Sequence, residues 1–291
     1  MAKVELKPCF LTPNRVQMQY PLFVYLPGLD GTGQLLRSQT AGLELGFDVR
    51  CLAIPRQDLA TWDVLSNHVL DLIHAELEKS SHRPVYLCGE SFGGCLAMKV
   101  ATQAPQLFKR IILVNPASAF QLRPWLMWSS QLTYFVPECF YDVGALGLLP
   151  FLASLPRIPR NVRYELLKTM RSVPPATVNW RLSLLKEFSI AENQLRHLTQ
   201  SVLLIAGGGD RLLPSVNEAK RLVSILPKSK MLVLPNSGHA CLLEKDVNLY
   251  KIMYDNNFLE NTCQVSNWRD MMPNPGIKHL LDQSFPLNQQ N

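Results

Sequence analysis

Gly89-Glu90-Ser91-Phe92-Gly93 sets a serine between glycines placed two residues to either side. The apolar run Val85–Cys88 leads into it and a helical pattern, Ser91 to Gln103, leads out of it. A strand that turns sharply into a helix forces such a serine into a strained backbone conformation and leaves no room for side chains at the flanking positions. The glycines answer that need. The turn would hold the hydroxyl out at the carboxyl end of a sheet, and the Phe92 N–H, at a helix N-terminus, could donate to an oxyanion. The chemistry on offer is nucleophilic attack by Ser91. The bland alternative is an ordinary strand-to-helix turn.

A serine nucleophile needs a base, and six histidines are available. His68 and His74 fall on a helical pattern, His82 in the loop after it, His197 in a polar stretch and His279 near the end of the chain. His239 differs: it follows the apolar run Met231–Leu234 in Pro-Asn-Ser-Gly-His-Ala, where Gly238 lets a loop turn the imidazole back over a sheet. The base in turn needs an acid to orient it and to stabilise its charged form. Asp210 follows Val202–Ile205 through Ala-Gly-Gly-Gly, again past the end of a strand. An alternative role for Asp210 is to cap the helix that starts near Pro214. Asp142 and Asp246 are less well placed. A second oxyanion donor is expected from the glycine-rich loop Leu26-Pro-Gly-Leu-Asp-Gly-Thr-Gly33, with Leu29 as the chosen N–H and Asp30 near the pocket floor. That loop does not have the G-x-G-x-x-G spacing of a dinucleotide site.

The elements that must carry these residues are short apolar runs alternating with helical patterns. Leu22–Leu26, Phe47–Ile54, Val85–Cys88, Ile111–Val114, Val202–Ile205 and Met231–Leu234 are continuous rather than alternating in apolarity, as suits strands covered on both faces. Thr61 to Lys79, Ser91 to Gln103 and Val216 to Leu226 have helical spacing, with Asp58 or Thr61 as candidate caps of the first. The alternation predicts a doubly wound, mostly parallel α/β sheet. Ala117 to Leu198 breaks it: no strand pattern, seven prolines, and Trp125, Trp128, Phe135, Phe140, Tyr141, Phe151 and Trp180. The expected organisation is a core of residues 1–116 and 199–260, a helical cap at 117–198 inserted after the strand that follows the nucleophile helix, and a polar tail at 261–291.

The 291 residues are 47% hydrophobic, enough for a sizeable core, and mean hydropathy is close to zero. No stretch has the length and apolarity of a transmembrane helix, and no signal peptide is expected. Seven scattered cysteines without a C-x-x-C pair argue against a disulfide framework and a structural zinc site, and for a reducing compartment. A net charge of +6 with no Lys/Arg run argues against a nucleic-acid partner. Nine Lys/Arg against five Asp/Glu between Ala117 and Leu198 offer a peripheral contact with an anionic membrane surface, weighed against a merely solvated face.

Leu-Pro-Gly-Leu-Asp-Gly-Thr-Gly, Gly-Glu-Ser-Phe-Gly-Gly, Gly-Gly-Gly-Asp-Arg-Leu-Leu-Pro-Ser and Ser-Gly-His-Ala together resemble the α/β-hydrolase superfamily. More narrowly, they resemble the hydrolase half of the phytyl ester synthase and esterase/lipase/thioesterase-like proteins of plastids and cyanobacteria, over Pro21 to Glu260. The resemblance implies an α/β-hydrolase fold and an acyl-enzyme mechanism on lipid esters. Ser91, Asp210 and His239 fall on the family's triad, and Leu29 and Phe92 on its oxyanion positions. It implies no metal or cofactor, an apolar small-molecule ester as substrate, and a cytoplasmic, plastid or cyanobacterial interior. No His-x-x-x-x-Asp of the synthases' acyltransferase half is found near the end, so hydrolysis is expected before transfer. The alternatives are acyl transfer to phytol or diacylglycerol, and a non-catalytic ligand-binding member of the fold.

Overall fold

The computed structural model describes residues 6–80, 83–123 and 138–260, and within them seven strands form one sheet. They are β1 Cys9–Leu11, β2 Leu22–Leu26, β3 Asp48–Ala53, β4 Val85–Glu90, β5 Arg110–Val114, β6 Ser201–Gly207 and β7 Ser229–Leu234. Their order is β1-β3-β2-β4-β5-β6-β7, all parallel except β1, which runs antiparallel to β3. Six strands were expected from the apolar runs. The seventh, β1, is a three-residue edge strand, too short to show a pattern and only partly buried.

Successive side chains of a strand point to opposite faces, and both faces are covered here. Leu22, Val24, Leu26, Leu87, Ile111, Leu113, Val202 and Leu204 pack in one core, and Phe23, Tyr25, Tyr86, Cys88, Ile112, Val114, Leu203 and Ile205 in the other. The first core is closed by α2 Trp62–Lys79, α3 Phe92–Gln103 and α8 Ser215–Ile225. In α2, Leu65, Val69 and Ile73 recur every four residues, the spacing of one helix face, and the Thr61 hydroxyl accepts from the Val64 N–H as its cap. The second core is closed by α1 Arg37–Leu43 and α9 Leu249–Asp255.

Between β5 and β6 lie four helices and no strand among the described residues: α4 Glu138–Leu152, α5 Arg160–Arg171, α6 Pro175–Glu187 and α7 Glu192–Arg196. The prolines punctuate them. Pro159 and Pro174 stand at the N-caps of α5 and α6, and Pro175 opens α6 at the position where a missing N–H costs nothing. Among the described residues this segment meets the rest of the chain at several points. Leu149, Ala153, Ile158 and Leu166 form a small apolar cluster with Ala240 and Leu243. Farther along, Trp62 donates to the Leu184 carbonyl at 2.9 Å and Trp180 to the Ala60 carbonyl at 3.0 Å, while Trp62 stacks on Phe92 with centroids 4.6 Å apart. Trp180 therefore serves the seam of the insertion. Trp125, Trp128, Phe135 and the expected tail lie outside the described residues. Among the described residues no helix is long and apolar enough to cross a membrane.

The register decides where loops meet. Leu26 pairs with Gly89, Glu90 with Val114, Val114 with Ile205 and Gly207 with Leu234, so five strands end together. The chain goes from β2 outward to β3 and then crosses to β4 on the other side of β2. That is the topological switch point where open α/β sheets hold ligands, beyond the carboxyl ends of the strands.

Candidate active site

Ser91 sits between β4 and α3 with φ 53° and ψ −115°, a left-handed conformation that a residue with a side chain rarely adopts. Its backbone is held from several sides: its N–H donates to the Val114 carbonyl at 3.0 Å, and its carbonyl accepts from Gly94 and Ala117. A methyl on Gly89 would stand 2.2 Å from the Gly93 carbonyl oxygen, and one on Gly93 2.0 Å from that of Leu26. The two glycines are thus what lets α3 lie against β4 and β2 at the turn.

His239 comes from the loop after β7, and Asp210 from the loop after β6. His239 Nε2 lies 2.8 Å from Ser91 Oγ and Nδ1 lies 2.7 Å from Asp210 Oδ2. Both side chains are almost fully buried. With Nδ1 protonated and facing the carboxylate, Nε2 is free to accept the serine proton, the tautomer assigned by the hydrogen-bond network. Burial alone would depress the His239 pKa, but the Asp210 carboxylate, and Glu90 beyond it, hold it above its ordinary value. Burial would likewise raise Asp210, yet the imidazole, the Ser215 hydroxyl and the Leu213 N–H hold it below the usual carboxylate range. Asp210 does not cap α8, whose N-cap position is Pro214 with no side-chain cap; instead Oδ1 accepts from the Leu212 and Leu213 N–H groups of its own loop at 2.9 and 3.0 Å, and Oδ2 accepts from the Ser215 hydroxyl.

The triple glycine before Asp210 has a visible purpose. A methyl on Gly207 would come within 2.5 Å of the Gly238 carbonyl oxygen, and one on Gly208 within 2.6 Å of that of Pro235. The aspartate loop and the histidine loop are packed backbone to backbone. None of the other described histidines joins the site: His74 and His197 are exposed and His68 is half-buried on α2. His82 and His279 lie outside the described residues, and so does the side chain of Asp142.

On the other side of Ser91 runs the loop after β2. A methyl on Gly28 would touch Ser91 Cβ at 3.8 Å, so this loop passes directly beside the serine. The Leu29 and Phe92 amides donate to no other described residue, which leaves both N–H groups free for a ligand oxygen. Asp30 is explained by its own loop: Oδ2 accepts from the Thr32 N–H at 2.8 Å and from its hydroxyl at 2.6 Å, closing the turn. Gly31, at φ 69°, donates to the Gly28 carbonyl and accepts from Ile54 at 2.7 Å.

Three contributors were not foreseen from the sequence. Asn115, fully buried at φ 42°, donates to the His239 carbonyl at 2.6 Å and accepts from the Gly207 N–H at 2.7 Å. One side chain so fixes the ends of β5 and β6 and the histidine loop. Glu244 accepts from the Ser237 hydroxyl and the Gly238 N–H, both at 2.8 Å, and pairs with Arg157 of the insertion. Glu90 is reached by the Tyr25 hydroxyl; burial pushes its carboxyl up to about 7, with Asp30 adding and Tyr25 and His239 opposing. The sequence signal for Asn115 is Asn-Pro directly after an apolar run. Glu244 has no local signal, because its partners are backbone and loop groups brought to it by the fold.

Residues 55–246 match the family profile described as serine aminopeptidase, S33. Phytyl ester synthases 1 and 2, chloroplastic, of Arabidopsis thaliana are 34% and 30% identical over 80% and 93% of this chain. The chain spans only 36% and 41% of the lengths of these two relatives. A pimeloyl-(acyl-carrier protein) methyl ester esterase of Nitrosomonas europaea is 31% identical over 54% of this chain and 65% of its own length. Among solved structures, MenH from S. aureus superposes with a TM-score of 0.69 at 17% identity, covering 86% of this chain and 97% of that one. An esterase from Thermogutta terrifontis gives 0.68 at 18% identity, covering 86% and 92%. These two likenesses speak for the fold.

Proposed function

The chain belongs to the α/β-hydrolase family that this profile describes, and from that premise we propose that it is a serine carboxylic-ester hydrolase acting on lipid-like esters through Ser91, His239 and Asp210. One observation carries the reading: Ser91 Oγ, both ring nitrogens of His239 and an Asp210 carboxylate oxygen form an unbroken chain of contacts at 2.8 and 2.7 Å. In the reaction His239 Nε2 takes the Ser91 proton as Oγ attacks the ester carbonyl. The Leu29 and Phe92 N–H groups receive the oxyanion. Asp210 stabilises the imidazolium and keeps its orientation. The imidazolium then returns the proton to the departing alcohol and leaves an acyl-enzyme, which a water activated by the same histidine hydrolyses to the free acid.

The names of the esterase and phytyl ester synthase relatives support an ester substrate with an acyl or isoprenoid chain. In this reading residues 117–198 act as a cap over the serine and supply the apolar wall for that chain, on a core of 1–116 and 199–260. The basic residues of the cap suit peripheral contact with an anionic membrane, and the relatives described as chloroplastic support a plastid interior over the cytoplasmic and cyanobacterial alternatives.

Hydrolysis of p-nitrophenyl esters from acetate to palmitate, by wild type and Ser91→Ala, tests the proposal. The expected result is activity that favours longer chains and disappears in the variant. No hydrolysis at any length would overturn it. A second reading, acyl transfer to phytol or diacylglycerol, is favoured by the identity to the two synthases. Product analysis in the presence of either alcohol separates the two. A non-catalytic member of the fold would leave Ser91 unlabelled by a fluorophosphonate.

A further inference from the structure

We infer that Arg181, from α6 of the insertion, is a positioning residue for the oxyanion loop; this rests on the hydrolase reading above. Its side chain is fully buried, 2% exposed. Nη1 donates to the Leu29 carbonyl at 2.7 Å and Nη2 to the Pro55 carbonyl at 3.2 Å. Among the described residues no carboxylate lies within ion-pair distance; Asp30 and Asp58 are its nearest acidic influences, and burial outweighs them in pulling its pKa down. A buried guanidinium without an ion pair is a costly way to fill space, and an apolar side chain of similar volume would pack the same seam more cheaply. What the guanidinium supplies instead is a planar fork spanning two backbone carbonyls from different loops.

One of those carbonyls belongs to Leu29, the residue proposed as an oxyanion donor. Holding the Leu29 carbonyl anchors the Leu29–Asp30 peptide plane, and the Gly28 carbonyl, in the same peptide plane as the Leu29 N–H, accepts from the Gly31 N–H at 3.0 Å, so the two planes flanking Leu29 are both restrained. The grip continues through Gly31, where a Cβ would stand 2.6 Å from Arg181 Nη1, and through the Ile54 N–H, which donates to the Gly31 carbonyl. The loop after β2 is therefore pinned between the end of β3 and a side chain of the insertion. The hydrogen bonds of Trp62 and Trp180 fix α6 on the core close by, so the guanidinium has a defined place from which to hold it. A donor aimed in advance at the developing oxyanion acts in the transition state more than in substrate binding.

The test uses the full chain with Arg181→Lys and Arg181→Met. On a p-nitrophenyl ester the expected result is a kcat at least tenfold lower in Arg181→Met, with KM within threefold of wild type and Arg181→Lys in between. Affinity for an alkyl trifluoromethyl ketone, which forms a tetrahedral adduct, should fall in proportion to kcat/KM, while binding of the matching unreactive ether should not change. A KM effect alone, or equal losses for ketone and ether, would show that Arg181 only seats the insertion. Should Arg181→Met fail to fold, Arg181→Lys decides by the same split: a lower kcat with KM near wild type and weaker ketone binding supports the inference, and wild-type kinetics overturns it. Absence of hydrolysis and fluorophosphonate labelling in wild type would instead sink the hydrolase reading itself.

Discussion

At the scale of single residues, the proposed mechanism makes the field around His239 set the working pH. The base must be neutral to accept the Ser91 proton, and Asp210 and Glu90 hold its pKa above the ordinary value of about 6.5. kcat/KM on a p-nitrophenyl ester should therefore climb with pH through an ionisation above that value. Glu90→Gln removes one negative neighbour and should move this limb to lower pH; a limb that stays in place would mean that Glu90 exerts no field on the imidazole. Glu90 also acts on stability. Its folded pKa is raised, so stability is fully present below its unfolded value of about 4.5 and is lost as pH rises towards about 7. The pH–stability curve of Glu90→Gln should be flatter across that window. Asn115→Ala would leave the Gly207 N–H and the His239 carbonyl buried without their partner, a loss of about 3 kcal/mol. Urea unfolding measures it, and a change below about 0.5 kcal/mol would contradict the bracing assigned to Asn115. The serine, the histidine and the aspartate were legible in the sequence because each is announced by its neighbours: a glycine frame, a glycine before the imidazole, a triple glycine before the carboxylate. Asn115, Glu244 and Arg181 were not, since what they hold is backbone from distant parts of the chain.

Elements were legible in proportion to how apolar they are. The parallel strands are covered on both faces and so read as continuous runs of Val, Ile and Leu. Helix α1 escaped because Leu43 is its one large apolar buried side chain and the rest of its buried face is polar or small: Gln39 donates to the carbonyls of Leu242 and Val247 at 2.6 and 2.8 Å, and its own carbonyl accepts from Leu249. No hydrophobic period marks such a helix. The β4–α3 junction gives a test at this scale. Gly89→Ala and Gly93→Ala put methyl groups within 2.2 Å of carbonyl oxygens, and strand and helix cannot both keep their places. Each should cost more than about 4 kcal/mol and yield little folded protein. Gly28→Ala meets nothing closer than 3.6 Å and should fold with a melting temperature near that of wild type. If all three melt alike, packing at the turn does not explain the glycines.

Across the whole molecule, reaction and cohesion occupy opposite ends of the sheet. Ser91, Asp210 and His239 lie past the carboxyl ends of the strands. At the start of β3, Asp48 pairs with Arg50 at 2.7 Å and with Arg83 at 2.5 Å, and Arg50 pairs in turn with Glu76 at 2.8 Å, all largely buried. Burial would raise Asp48 and Glu76, but the arginines, with Lys79 beside Glu76, hold both below the usual carboxylate range. The stability they contribute is present above their unfolded values of about 3.8 and 4.5 and is lost as pH falls through the lower folded ones. Asp48→Asn should cost about 3 kcal/mol at neutral pH, lose that acid-side slope and leave kcat within about twofold of wild type. A fall in kcat matching the fall in stability would show that the two ends are not independent. The parallel order of the strands also has a consequence in time. On the proposed mechanism the nucleophile stands at residue 91, but the base that would activate it arrives only at residue 239, after β7 has joined the sheet. During synthesis the chain would carry that serine through about half of its length as an inert alcohol, and on the same mechanism a product stopped before β7 would leave the esters around it intact however well the earlier strands had paired.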